Sequence, residues 1–215
     1  MCFSATASFT AGVVLLAIGT VTTRRARQAA EWPFALIPVL FGVQQLLEGA
    51  LWLTFPDKAP FLNTVLTQLY SLFSQVVWPV YIPVAVLLLE PSKWRRKVLG
   101  AITLAGCAVS LLLLYYLVRQ PVVSRVEGRH ISYVFPHLHQ ITATGFYLLG
   151  ACVSPMFSSH RSVQLFGAAA TLSLIAAAAF YTTWFISVWC FLAAVLSGIV
   201  FLHFPRTPKP LRATA

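Results

Sequence analysis

An all-α bundle of seven membrane-spanning helices is the fold the sequence predicts, with its N-terminus outside and its C-terminus in the cytoplasm. Hydrophobic residues make up 59% of the 215 and charged residues 9%, against roughly 25% charged in soluble domains. The mean hydropathy is +0.80. The chain also divides into seven apolar runs of about 20 residues, the length at which a helix crosses the hydrocarbon of a bilayer. The third observation is the placement of Lys and Arg, which gather in alternate loops, as the positive-inside rule requires of a multi-pass protein.

The first run, 5–23, has no basic residue before it and Arg24, Arg25 and Arg27 directly after it, the reverse of a secretory signal. Runs two and three, 32–55 and 61–89, contain prolines, which membrane bundles tolerate when neighbours satisfy the freed carbonyls. Lys93, Arg95, Arg96 and Lys97 then precede run four, 98–118. Arg119 to Tyr133 reads as the longest polar connection, followed by run five, 134–157. A short turn with His160 and Arg161 leads to run six, 163–180, whose alanines suit close packing. Run seven, 184–204, completes a single domain of 1–204, and 205–215 forms a basic cytoplasmic tail. In this arrangement Lys58, Arg119, Arg125 and Arg129 lie outside, and the other eleven of the fifteen basic residues lie inside.

The net charge of +10 sits at helix ends, where it sets topology and meets anionic lipid. The expected partner is therefore the lipid bilayer and not nucleic acid. Four cysteines, Cys2, Cys107, Cys152 and Cys190, show no Cys-x-x-Cys spacing, and the three inside apolar runs read as inert thiols.

Run two holds the feature that asks for a function. In the stretch from Gln44 to Trp52 a carboxylate and two amides interrupt the apolar run, and Glu48 is the one acid inside a predicted span. A charge in hydrocarbon costs on the order of 3 kcal/mol, so a carboxylate there needs a partner or a proton. Phe41, Gln45, Glu48 and Trp52 fall within about 60° on a helix. On run three Thr64, Gln68, Ser71, Gln75 and Trp78 share an arc of about 80°, so the two stripes should face each other. On run five His137, Gln140 and Thr144 share a face, with His139 roughly opposite. Counted from the predicted helix ends, Glu48, Gln68, Gln140 and Cys190 all lie about 10 Å below the outer surface. The expectation is an outward-facing polar pocket, covered by residues 1–4 and by the connection carrying His130.

Three readings of this pocket stand side by side. The first is a hydrogen-bonded polar core serving packing alone. The second is a metal site for zinc or another divalent ion, with Glu48 also as the catalytic group. Its ligands would come from Cys2, Glu48, His130, His137 and His139, with one position left for water. The third is a proton or solute pathway of a transporter, channel or sensory subunit, in which Glu48 titrates. A membrane enzyme acting on a lipid or small molecule at the outer leaflet is the specific expectation from the second.

The opening Met1-Cys2-Phe3-Ser4-Ala5, the block Gln45-x-x-Glu48-Gly49-x-x-Trp52 and the block Phe185-Ile186-Ser187-Val188-Trp189-Cys190-Phe191 resemble a family of small bacterial integral membrane proteins that begin Met-Cys-Phe-Ser-Ala. His130 to Tyr133 and Ser158 to Arg161 resemble further blocks of it. The resemblance implies a membrane protein of bacterial type and carries no activity; the bundle is expected in a bacterial inner membrane. It directs attention to Cys2, Glu48, Trp52, His130, Ser187 and Cys190. Two better-known seven-helix groups fit poorly: run seven has no lysine for a retinal Schiff base and no His-x-x-x-His pair like that of ceramidase-like zinc hydrolases.

Overall fold

Helix formation here follows apolar runs bounded by prolines and basic clusters. The computed structural model describes residues 4–56, 58–128, 130–134, 141–181 and 184–204, the side chains of 141–144 excepted. Among them, six helices are long and apolar enough to cross a membrane. They are α1 (Ala5–Arg25), α2 (Ala29–Trp52), α3 (Pro60–Leu89), α4 (Lys93–Arg119), α6 (Arg161–Phe180) and α7 (Phe185–His203). Between α4 and α6 lies α5, which starts as Ile141–Leu148 and continues through a wide turn, Leu149–Val153, and a tight one, Ser154–Phe157. Its apolar portion, Gly145–Phe157, is shorter than the other six.

Helix ends carry their own chemistry. Ser4 caps α1 by accepting from the Ala7 amide at 3.2 Å, which satisfies one of the first-turn donors left without a partner. Pro60 opens α3, where a missing N–H costs nothing. Run two was expected to continue to Phe55, but α2 ends at Trp52 and Leu53–Pro56 forms a turn. Pro56 disfavours helical backbone at the residue before it.

The connection after α4 folds differently from the polar loop expected. Val123–Glu127 (β1) and His130–Val134 (β2) pair antiparallel, from Val123 opposite Val134 to Glu127 opposite His130. Gly128 sits in the turn with φ 65°, a conformation that glycine adopts without steric cost. The strand residues Val123, Val126, Ile131, Tyr133 and Val134 are β-branched or aromatic, the types that suit a pleated surface. Val134, expected to open run five, is therefore the last residue of a strand.

The bundle has two unlike ends. At the basic end, Arg25 reaches the Phe204 carbonyl at 3.0 Å and lies over the Phe201 ring. Arg95 donates to the Ser158 carbonyl at 2.6 Å. Glu90 accepts from the Ser159 amide at 2.6 Å, the Ser159 hydroxyl at 2.5 Å and the Ser92 amide at 3.1 Å. At the hairpin end, the Thr67 and Ser124 hydroxyls meet at 2.7 Å, and Gln68 Nε2 donates to the Val122 carbonyl at 3.1 Å. Between them lies an apolar core including Phe34, Ile37, Ile82, Val86, Leu99, Val163 and Phe166.

Helix α3 is not uniform. Pro83 has no N–H to give the carbonyl four residues back, that of Pro79. Onto that carbonyl close two glycines of neighbouring helices: a Cβ built on Gly106 of α4 would stand 2.1 Å from the Pro79 oxygen, and one on Gly150 of α5 2.5 Å from it. One turn earlier, Leu72–Val77 forms a π-helical segment.

Candidate functional site

Glu48 is fully buried, and its Oε1 accepts from the Ser187 hydroxyl of α7 at 3.0 Å and from the Tyr133 hydroxyl of β2 at 3.4 Å. A carboxylate within an apolar bundle needs polar company, and here two elements far apart in sequence supply it. Tyr133 is held in turn by stacking on Tyr70 of α3, with centroids 4.6 Å apart and planes at 6°. The hairpin thus roofs the carboxylate, and Ile131 beside Tyr133 is buried against Leu51 and Leu66.

One turn below Glu48, Gln44 Oε1 accepts from the Trp78 indole at 2.8 Å, and Trp78 stacks on Phe41 at 3.8 Å. The stripes of α2 and α3 therefore do meet, through Gln44, Phe41 and Trp78. An indole N–H can only donate, so this bond fixes which atom of the Gln44 amide is the oxygen. Cys190 of α7 lies beside Gln44 and Tyr70, one turn beyond Ser187. Beneath them an apolar cavity of about 20 Å³ is lined by Phe41, Trp78, Tyr147, Trp189 and Cys190 among others, room for roughly one water molecule.

Not every residue of the expected pocket converges. Thr64 is exposed and bonds the Pro60 carbonyl of its own helix at 3.1 Å. Gln68 serves the base of the hairpin rather than Glu48. Ser71 and Gln75 are buried, and Trp52 packs into the apolar cluster that contains Tyr133. His130 stacks on Trp184 with centroids 4.5 Å apart, and burial pushes its imidazole pKa below the ordinary 6.5, because a charged ring is disfavoured away from water. Cys2, His137, His139 and Gln140 lie outside the described residues.

Some of the cluster had not been expected from the sequence. Tyr133, which bonds Glu48, and Tyr70, which stacks on Tyr133, were not among the expected residues. The alternation His-Ile-Ser-Tyr-Val, which sends Ile131 and Tyr133 to one face of a strand, was the signal for the first of them. Among the described residues no group of three His, Cys, Asp or Glu could hold a metal ion.

A family model described as a family of unknown function, DUF6629, matches residues 1–215. The chain belongs to this family. No curated protein and no solved structure matches it. Membership covers the whole chain and adds no activity.

Proposed function

We propose that this DUF6629 protein is a membrane enzyme of a bacterial inner membrane that acts on a lipid or small molecule from the outer leaflet, with Glu48 as its acid–base group. The N-terminus and the hairpin end would face outward, and the basic end and the tail 205–215 the cytoplasm. The observation that carries the reading is one-sidedness. Glu48 and its hydroxyl donors lie under the hairpin, while the apolar core closes the other half of the bundle. A conducting path would need polar groups throughout its length, whereas a catalytic pocket needs them at one end only. Ser187 and Tyr133 would orient the carboxylate, and Glu48 would take a proton from water or a substrate hydroxyl and return it to the leaving group.

Zinc or another divalent ion would add a polarised water to this site. Glu48 and His130 are donors of the right kind. The remaining candidates, Cys2, His137 and His139, lie outside the described residues, and no step of the reading depends on the metal.

A transporter or sensor in which Glu48 titrates is the second reading. It is favoured by the polar side chains that continue below Glu48, namely Gln44, Gln45, Ser71, Ser74 and Gln75, all buried. Glu48→Gln keeps the shape and one acceptor but cannot transfer a proton. The variant is expected to fold, to lose turnover or transport and, if a metal binds, to lose metal measured by elemental analysis. A folded, fully active Glu48→Gln protein with unchanged metal content would sink both readings.

A further inference from the structure

Gln45 presents a cost without a return inside the fold. Its side chain is fully buried, and neither its Nε2 nor its Oε1 has a hydrogen-bond partner. Burying an amide without partners costs roughly 1–3 kcal/mol by mutational measures, so a leucine of similar size would serve the fold better. It does not stand alone. Ser8 Oγ of α1 and Ser71 Oγ of α3 are likewise buried and unbonded.

Gln45 and Ser8 lie within about one helical turn of Glu48. Gln45 precedes Glu48 by three residues, about 60° round the helix and within one turn. Helix α1 packs on α2 so that Gly12 meets Gly42 and Leu46, and Phe9 meets Gly49, which sets Ser8 beside the turn between Gln45 and Gly49. Ser71 follows Tyr70, whose ring carries the Tyr133 roof. Gln45 and Ser8 thus bring unused hydrogen-bonding capacity from two helices near the carboxylate, and Ser71 adds a third group on the helix that carries Tyr70.

The kind of capacity selects the ligand. Among the described residues no Lys or Arg is buried, so a phosphate or other anion would meet Glu48 without a counter-charge. A bare cation would use Glu48 but leave the N–H group of Gln45 unspent. A hydroxyl both donates and accepts, as do the Gln45 amide and the two serines. We propose that Gln45, with Ser8 and Ser71, forms the recognition subsite of the Glu48 site and takes a neutral, hydroxyl-bearing ligand. That ligand is either the headgroup of an uncharged lipid or a free polyol. This assignment rests on the reading of Glu48 as the centre of a substrate site and names its substrate class.

The test uses the full-length purified protein and the thermal unfolding midpoint. The probes are 1,2-dioctanoylglycerol, glycerol at concentrations too low to act as an osmolyte, dioctanoyl phosphatidic acid, and zinc alone. One of the two neutral probes is expected to raise the midpoint in a saturable way and phosphatidic acid to leave it unchanged. A response to dioctanoylglycerol identifies a lipid headgroup, and a response to glycerol a soluble polyol. Gln45→Leu is expected to weaken that response about tenfold, the loss of one to two hydrogen bonds, while its unliganded midpoint stays equal or rises.

Three results overturn the proposal. One is no response to either neutral probe. Another is a Gln45→Leu midpoint well below wild type without ligand, which would mean that bound waters already satisfy the amide. The third is an undiminished response in Gln45→Leu. If that third result comes with a response lost in Glu48→Gln, the substrate-site reading survives and only the subsite fails. If Glu48→Gln is fully active but Gln45→Leu loses the neutral probe, the function proposed for Glu48 fails and the subsite stands.

Discussion

Ser187 and Glu48, 139 residues apart, meet at 3.0 Å inside the bundle, so α7 is tied to α2 through a carboxylate buried among the apolar spans. Removing the hydroxyl would leave Glu48 Oε1 with the longer bond from Tyr133 at 3.4 Å. A hydrogen bond to a charged group contributes about 1.5–3 kcal/mol net and one to a neutral group about 1. Ser187→Ala should therefore destabilise by about 1–2 kcal/mol, measured by reversible unfolding in mixed micelles. In the Glu48→Gln background the same change should cost less. Equal costs in the two backgrounds would show that the pair is not coupled.

A close backbone approach gives a sharper expectation. Alanine at Gly106 would place Cβ 2.1 Å from the Pro79 carbonyl oxygen, and at Gly150 2.5 Å from it. Neither obstacle is a flexible side chain, so whole helices must separate. Each substitution should lower stability by more than about 2 kcal/mol, in the range of severe overpacking. Gly100→Ala, where nothing stands within 4 Å of the added carbon, should be neutral or slightly stabilising on helix propensity. Tolerance of Gly106→Ala would contradict the packing of α3 on α4.

Much of this architecture was legible because helices long and apolar enough to cross a membrane announce themselves by length and by the charges at their ends. The bounds of α1, α3, α6 and α7 fall within two residues of the expected ones. Glu48 was legible for the same reason, as an acid inside a long apolar run. Its partner Ser187 was not, since a serine in an apolar run has no spacing that points across 139 residues, and only the resemblance drew attention to it. The hairpin was hidden by Arg125, Glu127 and Arg129, whose charges read as solvated loop although the intervening residues alternate.

The stripe on run three is broken for a different reason. The stripe on run three assumed one straight α-helix, yet Leu66, Tyr70, Ser74, Trp78 and Ile82 are all buried. Residues four apart drift by about 40° per step on an α-helix, so five in a row stay on one face only if the helix widens. The π-helical segment Leu72–Val77 supplies that wider turn and re-phases the remainder of α3. The four-residue repeat was the signal available in the sequence.

Orientation is open to a direct test. Eleven of the fifteen Lys and Arg fall on the side assigned to the cytoplasm, and Arg25, Arg95 and Arg96 do gather at one end of the bundle. A reporter fused after Arg212 should be cytoplasmic. A cysteine in place of Arg125 on β1 should react from outside with a membrane-impermeant reagent. The opposite pattern would turn the Glu48 site inward and remove the outer leaflet as its source of substrate.

Acid should loosen the two ends of the bundle in separate pH windows. His130 is buried against Trp184, and its folded pKa lies below the ordinary 6.5. The unfolded chain then binds the proton more readily, so stability falls as pH drops below about 6.5 and levels off under the folded value. At the other end, burial alone would raise the Glu90 pKa. The Ser159 hydroxyl and amide, the Ser92 amide and the Arg95 charge outweigh burial and hold it below the ordinary 4.5. A carboxylate depressed in this way contributes stability that is fully present above its unfolded pKa and is lost as pH falls through the folded one. A midpoint-against-pH curve should therefore decline in two steps. His130→Phe, which keeps a ring against Trp184, should remove the step near neutrality. Glu90→Gln should lower the midpoint at pH 7 and abolish the acid step, because its amide cannot be ionised. A single step that survives both substitutions would show that neither the hairpin histidine nor the Glu90 latch controls acid unfolding.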